Sequence, residues 1–265
     1  MGTLLLVHAH PDDEAIGTGG VMLKAHLAGH RVVLVTCTKG EVGEIHNMDE
    51  ATVRPRLAEV RTAELAAAGK ILGVDRQEFL GYRDSGMAGT DDNDQPGSFH
   101  QAPLEEAAKR LADIIVQERP EVVVTYGPDG IYFHPDHVKA HHTTVAALDM
   151  LLADGWQPRK FYYVQLVRED LDQQAQRMKD AGRPNPVLEA RLFGVSRAEI
   201  TTSVDCKELV AVKKSAFEAH RSQIAPDSFF LNTPDDIFAQ AFGTENFVLA
   251  RGEPTPPSPE TDLFA

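Results

Sequence analysis

The residues best equipped for chemistry sit in Val7-His8-Ala9-His10-Pro11-Asp12-Asp13-Glu14, where the apolar run Leu4-Leu5-Leu6-Val7 ends in imidazoles and carboxylates. The run has strand length and the stretch after it reads as a helix start, so Asp12, Asp13 and Glu14 fall in a first turn. A strand tip facing a helix start is where open α/β sheets place their sites. His10 and Asp13, three apart, can converge as a neutral imidazole nitrogen and a carboxylate oxygen, two donors that zinc accepts. Asp12 then points elsewhere, available as a base. The plainer reading is a helix start alone, since carboxylates favour the positive end of the helix dipole and proline is ordinary at a first helical position.

A second strand tip changes the balance. Tyr132-Phe133-His134-Pro135-Asp136-His137 comes after the apolar run Val122-Val123-Val124-Thr125-Tyr126 and the turn Gly127-Pro128-Asp129-Gly130. Parallel strands end on one edge of a sheet, so His137 completes a zinc set of His10, Asp13 and His137 whose fourth position stays open for water. An open position means catalysis rather than structural support. His141, one helical turn beyond His137, is not needed as a further ligand.

Together, His10-Pro11-Asp12-Asp13-Glu14 and His134-Pro135-Asp136-His137 resemble the LmbE/PIG-L family of zinc-dependent N-deacetylases, and the likeness runs over nearly the whole chain. The segments Thr36-Cys37-Thr38-Lys39-Gly40-Glu41-Val42-Gly43-Glu44 and Gly81-Tyr82-Arg83-Asp84-Ser85-Gly86-Met87-Ala88-Gly89-Thr90 look like its thiol-cofactor branch. That branch holds N-acetylglucosaminyl-inositol deacetylases of mycothiol synthesis and mycothiol S-conjugate amidases. The resemblance implies one Zn2+ per chain, with Fe2+ as an alternative, and makes Asp12 the general base. It makes His134 the stabiliser of the oxyanion and Asp136 the residue that orients or charges His134. Tyr132 falls at the place of a mobile tyrosine that assists the carbonyl, with Gly127 and Gly130 letting it move. Arg61, in an Arg-x-x-Glu-Leu context, and Asp84 match residues that hold the sugar and its aglycone. On spacing alone, Arg61 and Glu64 could simply pair on a solvated helix surface. His220 and Gln223 lie in a stretch similar to the family's Ala-His-x-x-Gln segment, which would brace the pocket or merely end a helix.

The implied reaction is hydrolysis of the N-acetyl amide of an N-acetylglucosaminyl-inositol-like conjugate. Alternatives are an amidase of thiol-cofactor S-conjugates, which the ending Glu260-Thr261-Asp262-Leu263-Phe264 resembles, and a deacetylase of N-acetylglucosaminyl-malate. Gly17 stands where the amidases carry lysine, which favours deacetylation. A sugar- or metal-binding module without turnover is the alternative from another class, and it has no use for Asp12.

To position these tips the chain needs a sheet, and its apolar runs supply one. Strands are expected at Arg31 to Thr36, Gln77 to Leu80, Glu121 to Tyr126, Lys160 to Val167 and around Phe247 to Ala250. Helices are expected at Ile16 to Gly29, Val53 to Leu72, Leu104 to Gln117, His137 to Leu152, Arg168 to Asn185 and Lys207 to His220. The Leu104 helix should bury Leu104, Ala107, Leu111, Ile114 and Ile115. This order is that of a three-layer, Rossmann-like α/β fold: a mostly parallel sheet, helices on both faces and an elaborated C-terminal part. Residues 1–252 read as one domain and 253–265 as an extended, proline-rich tail. Gly17, Gly19 and Gly20 do not make a dinucleotide fingerprint, because Met22 occupies the place of its third glycine. They let the helix approach the sheet or a ligand closely instead.

Composition narrows the partners. With 26 basic and 40 acidic residues among 265, the net charge of −14 repels phosphate backbones and anionic membranes. A small-molecule amino-sugar conjugate is the expected partner, with no nucleic acid and no membrane; self-association is left open. Cys37 and Cys206 belong to no C-x-x-C pair and read as buried thiols. Without a leader or a long apolar stretch, a cytoplasmic location is expected.

Overall fold

The computed structural model describes residues 1–180, 182, 193–225, 228, 232 and 234–265. Its centre is a seven-stranded sheet built from β1 (Thr3–His8), β2 (Arg31–Thr38), β3 (Arg76–Tyr82), β4 (Val122–Tyr126), β5 (Lys160–Gln165), β6 (Thr202–Asp205) and β7 (Thr244–Arg251). Their order is β3-β2-β1-β4-β5-β7-β6. β3, β2, β1, β4 and β5 are parallel, and β7 runs antiparallel to both β5 and β6. The Leu4-Leu5-Leu6-Val7 run of β1 is fully buried, as are Val32 to Val35 and Val122 to Val124, because a central parallel strand is covered on both faces.

Strand order reverses between β1 and β4, so the connections leaving these neighbours diverge and open a crevice at their C-terminal ends. That crevice receives both chemistry-bearing segments. Right-handed crossovers in opposite directions also explain the two helical layers. On one face α2 (Gly19–Leu27) and α4 (Leu57–Leu72) pack with the helix Val210–Glu218, and on the other α5 (Leu104–Glu118) packs on α7 (Pro135–Ala153). None of the helices in the described residues is long and apolar enough to cross a membrane.

Several expected elements differ in detail. The helix expected from Ile16 begins earlier, as α1 (Asp13–Gly17), and breaks at Thr18 before α2. There the Thr18 hydroxyl donates to the Glu14 carbonyl and meets His8 Nε2 at 2.9 Å, side-chain bonding that competes with a continuous helix. The helix expected from Val53 is divided by a 3₁₀ turn, Arg54–Arg56, around Pro55. The Arg168 helix forms over Arg168–Asp180, while residues 181 and 183–185 of the expected span lie outside the described residues. Leu104 is 42% exposed, a correction to its burial: it shares the stripe of Ala107, Leu111 and Ile115 but is the first residue of α5, at the open end of that face. β6 was missed, being a four-residue edge strand without a clear alternation.

The glycines at the start of α2 do serve close approach. A Cβ on Gly20 would lie 2.5 Å from Cys206 Sγ. The N–H groups of Gly20 and Val21 already donate to the buried Glu245 carboxylate, each at 2.8 Å, so a protein side chain fills the anion position at this helix start.

Residues 253–265 carry no helix, and Leu263 joins the core. Their anchor is Glu260, 1% exposed, which takes donors from Lys160, Tyr162 (2.7 Å), Thr202 (2.9 Å) and the Thr255 backbone (2.6 Å). Burial would raise this carboxyl, but the Lys160 ammonium and the other donors overcome it and hold the pKa at about 2, below an ordinary 4.5. A carboxyl lowered on folding stabilises above its unfolded pKa and loses that contribution as pH falls through its folded one. Glu260→Gln should therefore melt several degrees below the parent at pH 6, with the gap closing between about pH 4.5 and 2 in thermal unfolding. A gap constant across that window would contradict the assignment.

Candidate active site

Asp12 follows the β1 tip with a backbone at φ 130°, a region that residues with a side chain rarely adopt. It is the N-cap of α1, yet its carboxylate makes no capping bond and instead meets Arg61 Nη2 at 3.2 Å. Burial pushes the Asp12 carboxyl up to about 6, opposed by Arg61 and assisted by Asp13, which suits a proton acceptor near neutral pH.

Arg61 is 3% exposed, and its guanidinium donates to the carbonyls of Pro11 (2.6 Å) and Gly40 (2.9 Å) as well as to Asp12. The surface pair with Glu64 does not form. Glu64 is itself buried and accepts the backbone N–H and hydroxyl of Ser222, at 2.7 and 2.6 Å. Asp84, also 3% exposed, accepts N–H groups from Gly86 (2.9 Å) and Val42 (3.4 Å) and lies 3.5 Å from His10 Nε2. Both residues expected to contact substrate thus have protein partners in this structure.

Asp13 and His137 face each other as a metal pair would. The Oδ2 atom of Asp13 accepts the His10 N–H (2.8 Å) and the Tyr126 hydroxyl (2.7 Å), leaving Oδ1 directed at His137 Nε2, 3.3 Å away. His137 Nδ1 has the Gly130 carbonyl as its partner at 3.1 Å and must donate to it. Burial, with His10 adding and Asp13 opposing, pulls the His137 pKa down to about 4, so the neutral ring carries no proton on Nε2. That lone pair faces Asp13 Oδ1 and the Tyr132 hydroxyl, each 3.3 Å away, a position in which a cation could take the nitrogen and the carboxylate oxygen together.

His10 was expected as the third donor. Its Nδ1 lies 3.6 Å from Asp13 Oδ2, and its Nε2 lies 3.1 Å from Asp136 Oδ2. Burial disfavours charge on this ring, but Asp84, Asp13 and Asp136 outweigh it and push the pKa well above the ordinary histidine value. Three carboxylates around one imidazole call for positive charge. With Nε2–H donated to Asp136, Nδ1 is free to share a cation with Asp13 and His137, the carboxylate–histidine–metal arrangement. Among the described residues, the groups close enough to share one ion are His10 with Asp84 and Asp136, and His10 with His134 and His137; Asp13 is in neither. His134 is poorly suited as a ligand. Its Nδ1 accepts the Asp136 N–H at 3.1 Å, and burial together with the neighbouring histidines pulls it down to about 4, so the neutral ring keeps its proton on Nε2.

Asp136 serves His10 as well as His134. Its carboxylate turns to His10 and to Ser85, whose N–H (3.0 Å) and hydroxyl donate to it, and its link to His134 is its own backbone N–H. The reason is position: Asp136 lies in the first turn of α7, whose axis carries its side chain back toward the β1 tip. Tyr132 is 38% exposed with its hydroxyl 3.3 Å from His137 Nε2, between Ile131 and Phe133, both at positive φ. Burial and the Asp13 charge push its phenol pKa up, so it remains a donor. The two glycines expected to free it are positions of close approach instead. A Cβ on Gly127 would lie 1.9 Å from Gln165 Nε2, and one on Gly130, at φ +60°, would lie 2.7 Å from His137 Cβ.

Sequence reasoning missed Tyr126. Besides donating to Asp13, it stacks on His137 with ring centroids 4.3 Å apart, so one side chain orients two donors. Its place as the last residue of a buried strand leading to the site was the available signal. Tyr126→Phe should weaken metal affinity by about 10- to 100-fold while preserving the stack. Calorimetric titration of metal-stripped protein checks this, and unchanged affinity would remove Tyr126 from the support of Asp13.

A family model described as GlcNAc-PI de-N-acetylase (PIG-L) matches residues 5–148. A 1D-myo-inositol 2-acetamido-2-deoxy-alpha-D-glucopyranoside deacetylase of Acidothermus cellulolyticus is 42% identical, over 99% of this chain and 94% of its own. The enzyme of the same name from Thermomonospora curvata is 38% identical, over 99% of this chain and 96% of its own. Among solved structures, N,N'-diacetylchitobiose deacetylase from Pyrococcus horikoshii aligns with a TM-score of 0.64 at 21% identity, covering 96% of this chain and 84% of that one. The 4-carboxy-2-hydroxymuconate hydratase GalB of Pseudomonas putida aligns at 0.62 and 20%, covering 97% and 99%. Since a hydratase shares the architecture, these structural likenesses speak for the fold alone. The sequence matches go further: with the family model running over more than half of its length and relatives alike from end to end, the chain belongs to the PIG-L family.

Proposed function

We propose that this protein hydrolyses the N-acetyl amide of an N-acetylglucosaminyl-inositol, releasing the free amine and acetate, with Zn2+ held by His10, Asp13 and His137. The observation that carries the reading is Nε2 of His137, with Nδ1 engaged by the Gly130 carbonyl, facing Asp13 Oδ1 beside a carboxyl group, Asp12, suited to take up a proton. Identity of 38% or more over nearly full length to deacetylases of that named substrate supports the substrate.

When bound, the ion supplies Lewis acidity that makes water a better nucleophile and polarises the amide carbonyl. The residues do the rest. Asp12 takes the proton of the attacking water and returns it to the nitrogen as the C–N bond breaks. His134 Nε2–H and the Tyr132 hydroxyl donate to the oxygen that gains charge. Arg61 fixes the Asp12 carboxylate by a charge-assisted bond, and Asp136 and Ser85 fix His10. Asp84 and Arg61 border the sugar.

The test is release of primary amine by zinc-loaded protein from N-acetylglucosaminyl-inositol, N-acetylglucosaminyl-malate and a mycothiol S-conjugate in parallel. The inositol conjugate should react at least about 10-fold faster than the others, a modest difference in transition-state binding. A faster malate conjugate or S-conjugate would replace the substrate but keep the reaction. No release from any of them would leave a binding module.

A further inference from the structure

We propose that Glu14 and His220 form a buried positioning pair that holds the backbone of Asp12 in its left-handed conformation and so sets the direction of the general base. The inference rests on the reading of Asp12 as that base. Asp12 at φ 130° and ψ −28° has a conformation costly for any residue with a Cβ, and it persists only if its surroundings enforce it. Arg61 holds the Pro11 carbonyl and the Asp12 carboxylate, and one further side chain holds the Asp12 N–H. Glu14 Oε2 accepts the Asp12 N–H at 2.9 Å, the reciprocal bond by which an acid of the first turn reaches back to the N-cap backbone. With its backbone held in this way the Asp12 carboxylate makes no capping bond and turns to Arg61.

Glu14 can do this only if its own place is fixed. It is 0% exposed, and its other oxygen meets His220 Nε2 at 2.6 Å. His220, also 0% exposed, arrives from the far end of the chain, just beyond the helix Val210–Glu218. Two residues on, Ser222 is bonded through its N–H and hydroxyl to Glu64 of α4, which fixes the segment from a second side. Among the described residues His220 Nδ1 has no partner in its buried setting, so Glu14 alone engages the ring by hydrogen bond. An ion pair serving stability alone would join two elements and stop there. This carboxylate instead divides its oxygens between a distant histidine and the N–H of the strained residue itself.

The experiment compares His220→Leu with His220→Gln, whose amide can still donate to Glu14, in steady-state hydrolysis of N-acetylglucosaminyl-inositol by the zinc-loaded protein. The Leu variant should lose about 100-fold in kcat, of the order a general base contributes, with KM and zinc affinity within about 3-fold of the parent. The Gln variant should recover most of that kcat. Equal losses in both variants, or a loss carried by KM or zinc affinity, would overturn the proposal. A second arm needs no activity and stands if the substrate reading fails. Asp12→Gly should melt above Asp12→Ala, because glycine accepts φ 130° freely, and the difference should shrink when Glu14→Ala is added. No difference between Gly and Ala, or one indifferent to Glu14, would show that the pair holds no strain at Asp12.

Discussion

Asp12→Asn should lower hydrolysis by about 1,000-fold, within the span a positioned general base contributes, while the protein keeps its full complement of zinc. Asparagine preserves the size of the side chain and an oxygen for the 3.2 Å bond from Arg61, so the surroundings stay assembled. What it removes is the ability to accept and return a proton. The adjacent carboxylate has the opposite character. Asp13 is tied by Tyr126 and by the His10 N–H on one oxygen and turned to His137 on the other, leaving no freedom to shuttle protons. Metal content and kcat measured on the same Asp12→Asn preparation separate the two roles. Loss of zinc from this variant would mean that Asp12 and Asp13 have been assigned the wrong way round.

His137→Ala should reduce zinc affinity by more than the roughly 10- to 100-fold that an outer partner costs, and abolish turnover with it. The substitution removes the donor whose lone pair is aimed at Asp13 Oδ1 and leaves the Gly130 carbonyl without its N–H partner. Apo stability therefore falls too, by an amount typical of an unpaired buried acceptor. Zinc content by atomic absorption after gel filtration, with circular dichroism to show that the fold persists, reads this out. Full occupancy in the variant would take His137 out of the donor set and turn attention to His10 with Asp84 and Asp136.

How legible this site was in the sequence depended on the kind of physics involved. The two strand tips could be read because a buried parallel strand must be a continuous apolar run, and such runs stop where His8 and Tyr126 stop. Once β1 and β4 are neighbours in a parallel sheet, the two histidine-bearing segments share one edge, where His137 faces Asp13 and His10 lies beside Asp84 and Asp136. Side-chain partnerships were less accessible. Asp136 was expected to serve His134, two residues away; its N–H and its charge reach that ring, but nothing local showed that its carboxylate also takes up His10 and Ser85. Arg61 has the spacing of an ordinary surface pair, and nothing in its own helix reveals that the β1–α1 turn, at Pro11 and Asp12, presents a carbonyl and a carboxylate to it. Glu14 read as a first-turn acid favoured by the helix dipole, although its two oxygens are committed to Asp12 and His220. Contacts between residues 206 positions apart follow from packing alone, which no local pattern encodes.

The most direct measurement strips the protein of metal and titrates Zn2+ back while amine and acetate released from N-acetylglucosaminyl-inositol are both quantified. The expected result is no turnover without metal, equal amounts of the two products, and a plateau at one zinc per chain. Turnover indifferent to zinc, or none at full loading, would contradict zinc-dependent deacetylation at His10, Asp13 and His137.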